Sequence, residues 1–503
     1  MRTHELFSKN AKIILRDLGL LIQVVGLMAL LSLPIALFFK EYYALEPLLL
    51  TALASLALGQ GGFWAFRRAG ETTLKQGMVI AAAGWLLVAL LGSLPFYLIA
   101  LKLSAQAGTP QTVLNFLDPW NGIFESIAGF TGTGLTMTAL ASQLPRTLQW
   151  WRSFIEWIGG VGVIVLMLSI ISGPGQRSFS LYYAEARQEK IHPSIRSTVR
   201  TIWWIFTLYT VGSVLLLRIA GMPWWDAVNH AMTGISTGGF SVADRSIGGY
   251  HSLWIELALL PVMLFGAISF AIHYQLLRGR KLRLLWEDQQ TSWLLVLAIL
   301  GFLLLSLEEV LRLEPLPAIR DAAFQFVSAL TCTGFQTAGL HEWSATAKLI
   351  LAAGMIIGGA AGSTAGGIKV IRLVILAKGI GWRLKRLISA PNVLVRFRLG
   401  GTSLDDAEAT RRIIDAALIA ALWLFFLAVG VVVLLHTVPK SFGLSDIIFE
   451  VASAQGNVGL SAGITGPEMA LAAKLTLCFN MWIGRLEIIP VLLFLRSLFA
   501  GVD

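Results

Sequence analysis

Four stretches of the chain set a glycine at the same point of a run rich in Thr, Ser and Gly. They are "FESIAGFTGTGLT" (Phe124 to Thr136), "NHAMTGISTGGFS" (Asn229 to Ser241), "FQFVSALTCTGFQ" (Phe324 to Gln336) and "FEVASAQGNVGLS" (Phe449 to Ser461). They align without gaps, with Gly134, Gly239, Gly334 and Gly459 at the same position and Leu or Phe directly after. Three residues before each block stands Asn121, Asp226, Asp321 or Asp446, a residue type that caps a short helix. With 49 glycines in the chain, one such match carries little weight. Four in corresponding places mark an internal repeat.

The chemistry open to such runs lies in the main chain. An extended loop with its carbonyls turned one way needs backbone angles that glycine reaches cheaply. Four loops facing one axis give rings of carbonyl oxygens, which replace the hydration shell of a monovalent cation. A short helix ending at each loop aims about half a negative charge at the same centre. No charged side chain is needed in the path, and both effects favour cations over anions.

The surroundings of these runs must then be membrane. The chain has 503 residues, of which 56% are hydrophobic and only 14% charged. A soluble domain carries about 25% charged residues. The N-terminus, "MRTHELFSKNAKIILRDLG", is polar and basic and leads into a full-length span, which reads as a retained first helix. The net charge of +10 is not spread as on a nucleic-acid binder, because 24 of the 39 Lys and Arg fall in 1–17, 67–77, 173–200, 278–283 and 378–412. All five stretches lie on one side of an up-and-down threading, the positive-inside bias, so the N-terminus is expected in the cytoplasm.

At about 20 apolar residues per crossing, the sequence predicts ten spans. Two, at 19–39 and 46–66, form a hairpin. Four pairs follow, at 78–101 with 150–172, 198–220 with 252–277, 290–311 with 346–377, and 411–437 with 469–497. Each pair is joined by an outside segment carrying one glycine run. Non-helical backbone at membrane depth survives only inside protein or beside water, so each run reads as a half-helix going in and a strand coming out. The expected fold is an all-α polytopic membrane protein. A hairpin (1–70) precedes four span–pore-helix–span units (71–175, 176–283, 284–400 and 401–503) around a central pore.

This arrangement resembles the Trk/Ktr/HKT superfamily of potassium and sodium translocators over about 78–497, and the N-terminal hairpin resembles its TrkH type. "GFTGTGLT", "GISTGGFS", "LTCTGFQT" and "GNVGLS" resemble the four filters of that superfamily. The resemblance implies an ion-binding filter of Thr131, Gly132, Thr133 and Gly134, with Ser236, Thr237, Gly238 and Gly239. Thr331, Cys332, Thr333 and Gly334 follow, and then Gly456, Asn457, Val458 and Gly459. Potassium would bind the carbonyls of the four glycines. Gly134, where plant relatives that prefer sodium have Ser, leans toward potassium. It further implies potassium uptake across the cytoplasmic (inner) membrane, a homodimer, and a TrkA-like cytoplasmic subunit that binds ATP or NAD, since this chain has no nucleotide-binding segment. A sodium- or proton-coupled symporter of the same fold stays open.

The lower parts of the second spans also align, as "WIGGVG" (157–162), "LFGAIS" (264–269), "IIGGAAGS" (356–363) and "WIGRLE" (482–487). Small residues in the first two read as close helix packing. "GMIIGGAAGSTAGGIKVIR" holds too much glycine for a mid-span helix, at about 1 kcal/mol each against Ala, and reads as an irregular loop below the filter. In the family the matching segment is the gate, which implies that role for Gly362, Ser363, Thr364, Ala365, Gly366 and Gly367. Arg485 and Glu487 fall within a span, where charge is costly and faces a cavity or partner. Arg485 is expected to brace the loop and set a positive barrier, and Lys369 to share that work. Glu125 and Glu450, which occupy the same place in units one and four, are expected to hold the backbone behind the filters.

Cys332 and Cys478 form no zinc or disulfide pattern. The segment around Lys369 lacks the Gly-Lys-Ser/Thr order of a phosphate loop. An intramembrane enzyme lacks a nucleophile–base set, and a midplane carrier for a small organic solute usually has two large repeats rather than four small ones.

Overall fold

A computed structural model describes residues 8–162, 191, 195–279, 282–312, 314–390, 393 and 395–500. The described residues are mostly helical. The strands among them, Phe397–Leu399 and Thr402–Leu404, pair antiparallel with Arg398 opposite Ser403.

The hairpin consists of Lys9–Phe38 and Leu45–Phe66. Small residues let its helices touch: a Cβ on Gly19 would lie 2.6 Å from Gly59 O. Its turn is tied to the first unit. Glu41 accepts hydrogen bonds from Arg146 N and Thr147 N, both at 2.8 Å, and so places a carboxylate at the positive end of helix Arg146–Val161.

Within the four expected units, a long helical stretch is each time followed by a short helix. The short helices are Pro119–Thr131, Trp224–Ile235, Pro315–Leu330 and Leu444–Gln455. The predicted caps are corrected here. Only Asp446 takes an N–H at its own helix start, that of Gly443 at 2.8 Å. In the first helix Asp118 caps instead, accepting from Trp120 N, while Asn121 donates to Asn115 O. Asp226 accepts from the Tyr250 hydroxyl and Asp321 from Thr337 Oγ1.

Not all of the ten expected spans are continuous helices. Among the described residues, six helices are long and apolar enough to cross a membrane, or seven if the pair Leu253–Ala267 and Phe270–Gly279, bent by 109°, counts as one. The difference lies in the second spans. That of unit two breaks inside "LFGAIS", which we expected to be packed helix. That of unit three breaks between Ala345–Ile357 and Val370–Ile388, as expected. That of unit four breaks between Leu471–Arg485 and Ile489–Ala500, with Glu487 and Ile488 at positive φ. In unit one, Arg146–Val161 ends at Gly162 with φ +103°, and 163–172 lies outside the described residues.

One position on each second span reaches the short helix of the next unit. Gln149 accepts from Trp225 Nε1 at 2.8 Å. Glu256 takes Arg320 with two hydrogen bonds of 2.7 Å. Lys348 donates to Asp446 at 2.5 Å. Lys474 donates to Asn121 at 2.6 Å, returning to unit one. Lys348 and Lys474 are buried, and a buried ammonium survives only with such partners.

Candidate functional site

The short helices end within their glycine runs, at Thr131, Ile235, Leu330 and Gln455, and the chain then turns through a left-handed residue. These are Gly132 (φ +67°), Thr237 (+53°), Cys332 (+56°) and Asn457 (+53°), the same position in all four segments. Left-handed backbone is costly for the three that carry a Cβ. Their N–H groups are nonetheless used: Thr237 N donates to Gly234 O and Asn457 N to Ala454 O, each at 3.1 Å.

Two residues further on, the four glycines close a ring. A Cβ on Gly134 would lie 2.7 Å from Gly238 O, one on Gly239 2.1 Å from Thr333 O, and one on Gly334 2.0 Å from Val458 O. One on Gly459 would lie 2.3 Å from Gly134 Cα, back at the start. The structure thus brings the four predicted segments into one closed sequence of backbone contacts. Gly239, Gly334 and Gly459 have positive φ and Gly134 does not, so its glycine is required by space alone. Of the sixteen predicted filter residues Gly134 is half-buried, the other fifteen are buried, and none is charged.

Behind the ring, one side chain per unit ties the short helix to the strand leaving it. Glu125 accepts from Thr136 Oγ1 and Met137 N, both at 2.7 Å, and Thr138 Oγ1. Glu450 accepts from Ser461 Oγ, Ala462 N and Thr465 N. His230 Nε2 meets Ser241 Oγ at 2.9 Å, and Gln325 donates to Thr337 Oγ1 at 3.2 Å. Two further charged residues here were missed from the sequence. Arg152 donates to Glu125 at 2.6 Å and to Ser241 O of the second segment at 2.9 Å. Glu156 accepts from Phe240 N, directly after Gly239. Both are buried. The signal was present: a charge within an apolar span, in "WRSFIEW".

Below the ring lies the loop 358–369, which carries the predicted gate residues Gly362, Ser363, Thr364, Ala365, Gly366, Gly367 and Lys369. It enters the break in unit two. Ala360 N donates to Ala267 O at 2.9 Å, Thr364 N to Gly266 O at 3.1 Å, and Phe270 N to Gly362 O at 3.1 Å. The break and the loop satisfy each other's backbone groups, the physical reason that "LFGAIS" is not continuous helix. Thr364 Oγ1 also accepts from the left-handed Thr237 Oγ1 at 3.1 Å. A Cβ on Gly366 would lie 2.0 Å from Gly456 O, so the loop abuts the fourth segment as well.

Arg485 ties this layer to its neighbours through carbonyls rather than through Glu487. It donates to Thr364 O at 3.1 Å and to Gly159 O and Gly160 O of unit one, and its guanidinium lies 5.4 Å from the Trp85 ring centre. Glu487 pairs instead with Arg372, and Lys369 donates to Ala365 O within the loop. Above the ring opens a cavity of about 680 Å³ whose floor includes Gly134, Gly239, Gly334 and Gly459. Asp244 lines it and accepts from Ser142 N and Ser142 Oγ.

The comparisons with known proteins agree with this geometry. The TrkH family, described as cation transport protein, matches residues 48–499. An uncharacterized cation transporter of Methanocaldococcus jannaschii is 32% identical over 497 residues, 98% of this chain and 97% of that protein. The Trk system potassium uptake protein TrkH of Salmonella typhimurium is 31% identical over 464 residues, 89% of this chain and 91% of that protein. The crystal structure of the potassium transporter TrkH from Vibrio parahaemolyticus superposes with a TM-score of 0.81 at 27% identity, covering 97% of this chain and 99% of that one. The chain therefore belongs to the TrkH family of cation transport proteins.

Proposed function

We propose that this protein carries potassium into the cell across the cytoplasmic membrane, through a pore at the centre of four repeat units spanning 71–175, 176–283, 284–400 and 401–503. The observation that carries the reading is the closed ring of Gly134, Gly239, Gly334 and Gly459 at the floor of an open cavity. An uncharged ring of main chain, fed by four helix C-termini, suits a monovalent cation that exchanges water for carbonyl oxygen. Glu125, His230, Gln325 and Glu450 hold the strands in register, because a carbonyl cage binds only if it does not collapse when the ion leaves. Relatives named as potassium uptake proteins of the Trk system support potassium as the cargo.

The loop 358–369 is the gate in this reading. It obstructs the path directly beneath the ring, and Arg485 holds it there while presenting a positive charge beside the route. Opening needs the loop to leave the break of unit two, which exchanges a few hydrogen bonds worth about 1 kcal/mol each. The force comes from a TrkA-like nucleotide-binding subunit on the basic, cytoplasmic face, where the N-terminus also lies, and the working unit is a homodimer.

Growth of a potassium-uptake-deficient strain at low potassium, with rubidium flux into proteoliposomes, tests this. The intact chain restores both. Gly134→Ser, which adds bulk facing Gly238 O, lowers the preference for potassium over sodium. Good membrane expression without rescue or flux refutes the reading.

A further inference from the structure

A second cavity, of about 600 Å³, lies at the basic end of the N-terminal hairpin, remote in sequence from all four glycine runs. It is lined by Lys9 and Lys12 from the first turns of the first helix, and by Trp64, Arg67 and Arg68 from the end of the second. None of the described residues lining it is acidic. Of the described acids close in sequence, Glu71 does not line it, and Asp17 is buried against Arg16 Nε at 2.9 Å and Thr72 Oγ1 at 2.5 Å.

That buried group frames the cavity. Arg16 spans Asp17, Ala69 O (2.5 Å) and Gly70 O (2.9 Å), pinning the turn that follows Arg67 and Arg68 against the first helix. Gln76 donates to Asn10 Oδ1 at 2.8 Å and fixes the start of the next helix to the same place. The cationic rim is thus held by a buried scaffold whose own charges are matched.

The second hairpin helix leads from this rim along a lipid-length apolar face. The segment Tyr42–Phe66 is long and apolar enough to span, with only 28% of its window buried, and Leu53, Leu58 and Trp64 are exposed on it. A ligand that fits both halves has a phosphate for the four cations and hydrocarbon for the leucines, with Trp64 at the level of the headgroup. We propose that this cavity is a binding site for the phosphate headgroup of an anionic phospholipid, with the acyl chains laid along the Leu45–Phe66 helix.

The test uses the full-length purified protein in nanodiscs of phosphatidylcholine doped with phosphatidylglycerol, reading bound lipid by native mass spectrometry and by melting temperature. The intact protein retains phosphatidylglycerol and is stabilised by it. Arg67→Gln with Arg68→Gln lowers its affinity about 30-fold, roughly fivefold per lost cationic contact, and Lys9→Gln with Lys12→Gln does the same from the opposite wall. Arg411→Gln with Arg412→Gln, a control pair on a distant helix, changes nothing. Equal retention by either cavity pair and the control overturns the proposal. So does full competition by inorganic phosphate, which would make this a free-anion site. Lipid retention unchanged alongside lost binding of an acidic cytoplasmic subunit overturns it in favour of a protein contact.

Discussion

The ring of glycines and the layer directly beneath it are built on opposite plans. In the ring every unit does the same thing: a left-handed residue, then a glycine against the next segment's backbone, with no charged side chain. In the layer below no two units agree. Unit three supplies a loop, unit two a break to receive it, unit four the guanidinium of Arg485, and unit one the carbonyls of Gly159 and Gly160. The contrast teaches where symmetry is useful. A cage for a spherical ion gains from equivalent ligands on every side. On the proposed reading of the loop as a gate, a part that must move gains from being single, because one loop can leave without four copies having to agree.

The strongest way to break this comparison is to damage the ring. Gly334→Ala puts a Cβ 2.0 Å from Val458 O at φ +83°, which costs about 1–3 kcal/mol in backbone strain alone. Rubidium flux is expected to vanish while the protein still reaches the membrane. A flux near that of the intact chain would mean the ring is not the path.

The braces behind the ring differ in a way that sharpens the comparison. Glu125→Gln leaves the buried Arg152 without its carboxylate, at a cost of about 3–5 kcal/mol. Glu450→Gln loses hydrogen bonds to Ser461, Ala462 and Thr465, about 1 kcal/mol apiece. The melting temperature in detergent is expected to fall further for Glu125→Gln. The reverse order would show that Arg152 finds another partner.

In the lower layer the expected effects have the opposite sign. Arg485→Ala removes the donor to Thr364 O, a charged hydrogen bond worth about 1.5–3 kcal/mol. Flux is expected to rise roughly tenfold as the loop loosens, with Arg485→Lys between the two. The smallest change is Thr237→Val, which deletes the Oγ1 contact to Thr364, about 1 kcal/mol. It is expected to raise flux a few-fold with ion preference intact, measured as rubidium uptake against sodium competition.

The ring was legible because four copies of one signal reinforce each other, and glycine has few substitutes where neighbouring backbones meet. Glu125 and Glu450 were legible by the same register. The single loop at 358–369 was legible from its glycine content. The break in unit two was not, since "LFGAIS" differs little from packed helix; it is broken by what enters it, a contact between residues about 100 apart. Glu156 was overlooked although its charge stood in an apolar span, because nothing in its own segment names the Phe240 N–H it serves. The cap reading of Asp226 and Asp321 erred for a related reason: their tertiary partners, Tyr250 and Thr337, outcompete the local ones.

The tie between Lys474 and Asn121 joins residues 353 apart, and the one between Gly459 and Gly134 closes a circle that the preceding segments leave open. During synthesis the first three units can sit in the bilayer only as an unclosed arc, with Lys474, the late partner of Asn121, still to be made. The last hairpin is therefore a keystone. Chains shortened before about Lys474 should insert yet stay prey to membrane proteases, and quality control could judge the whole molecule by whether its final helix has arrived.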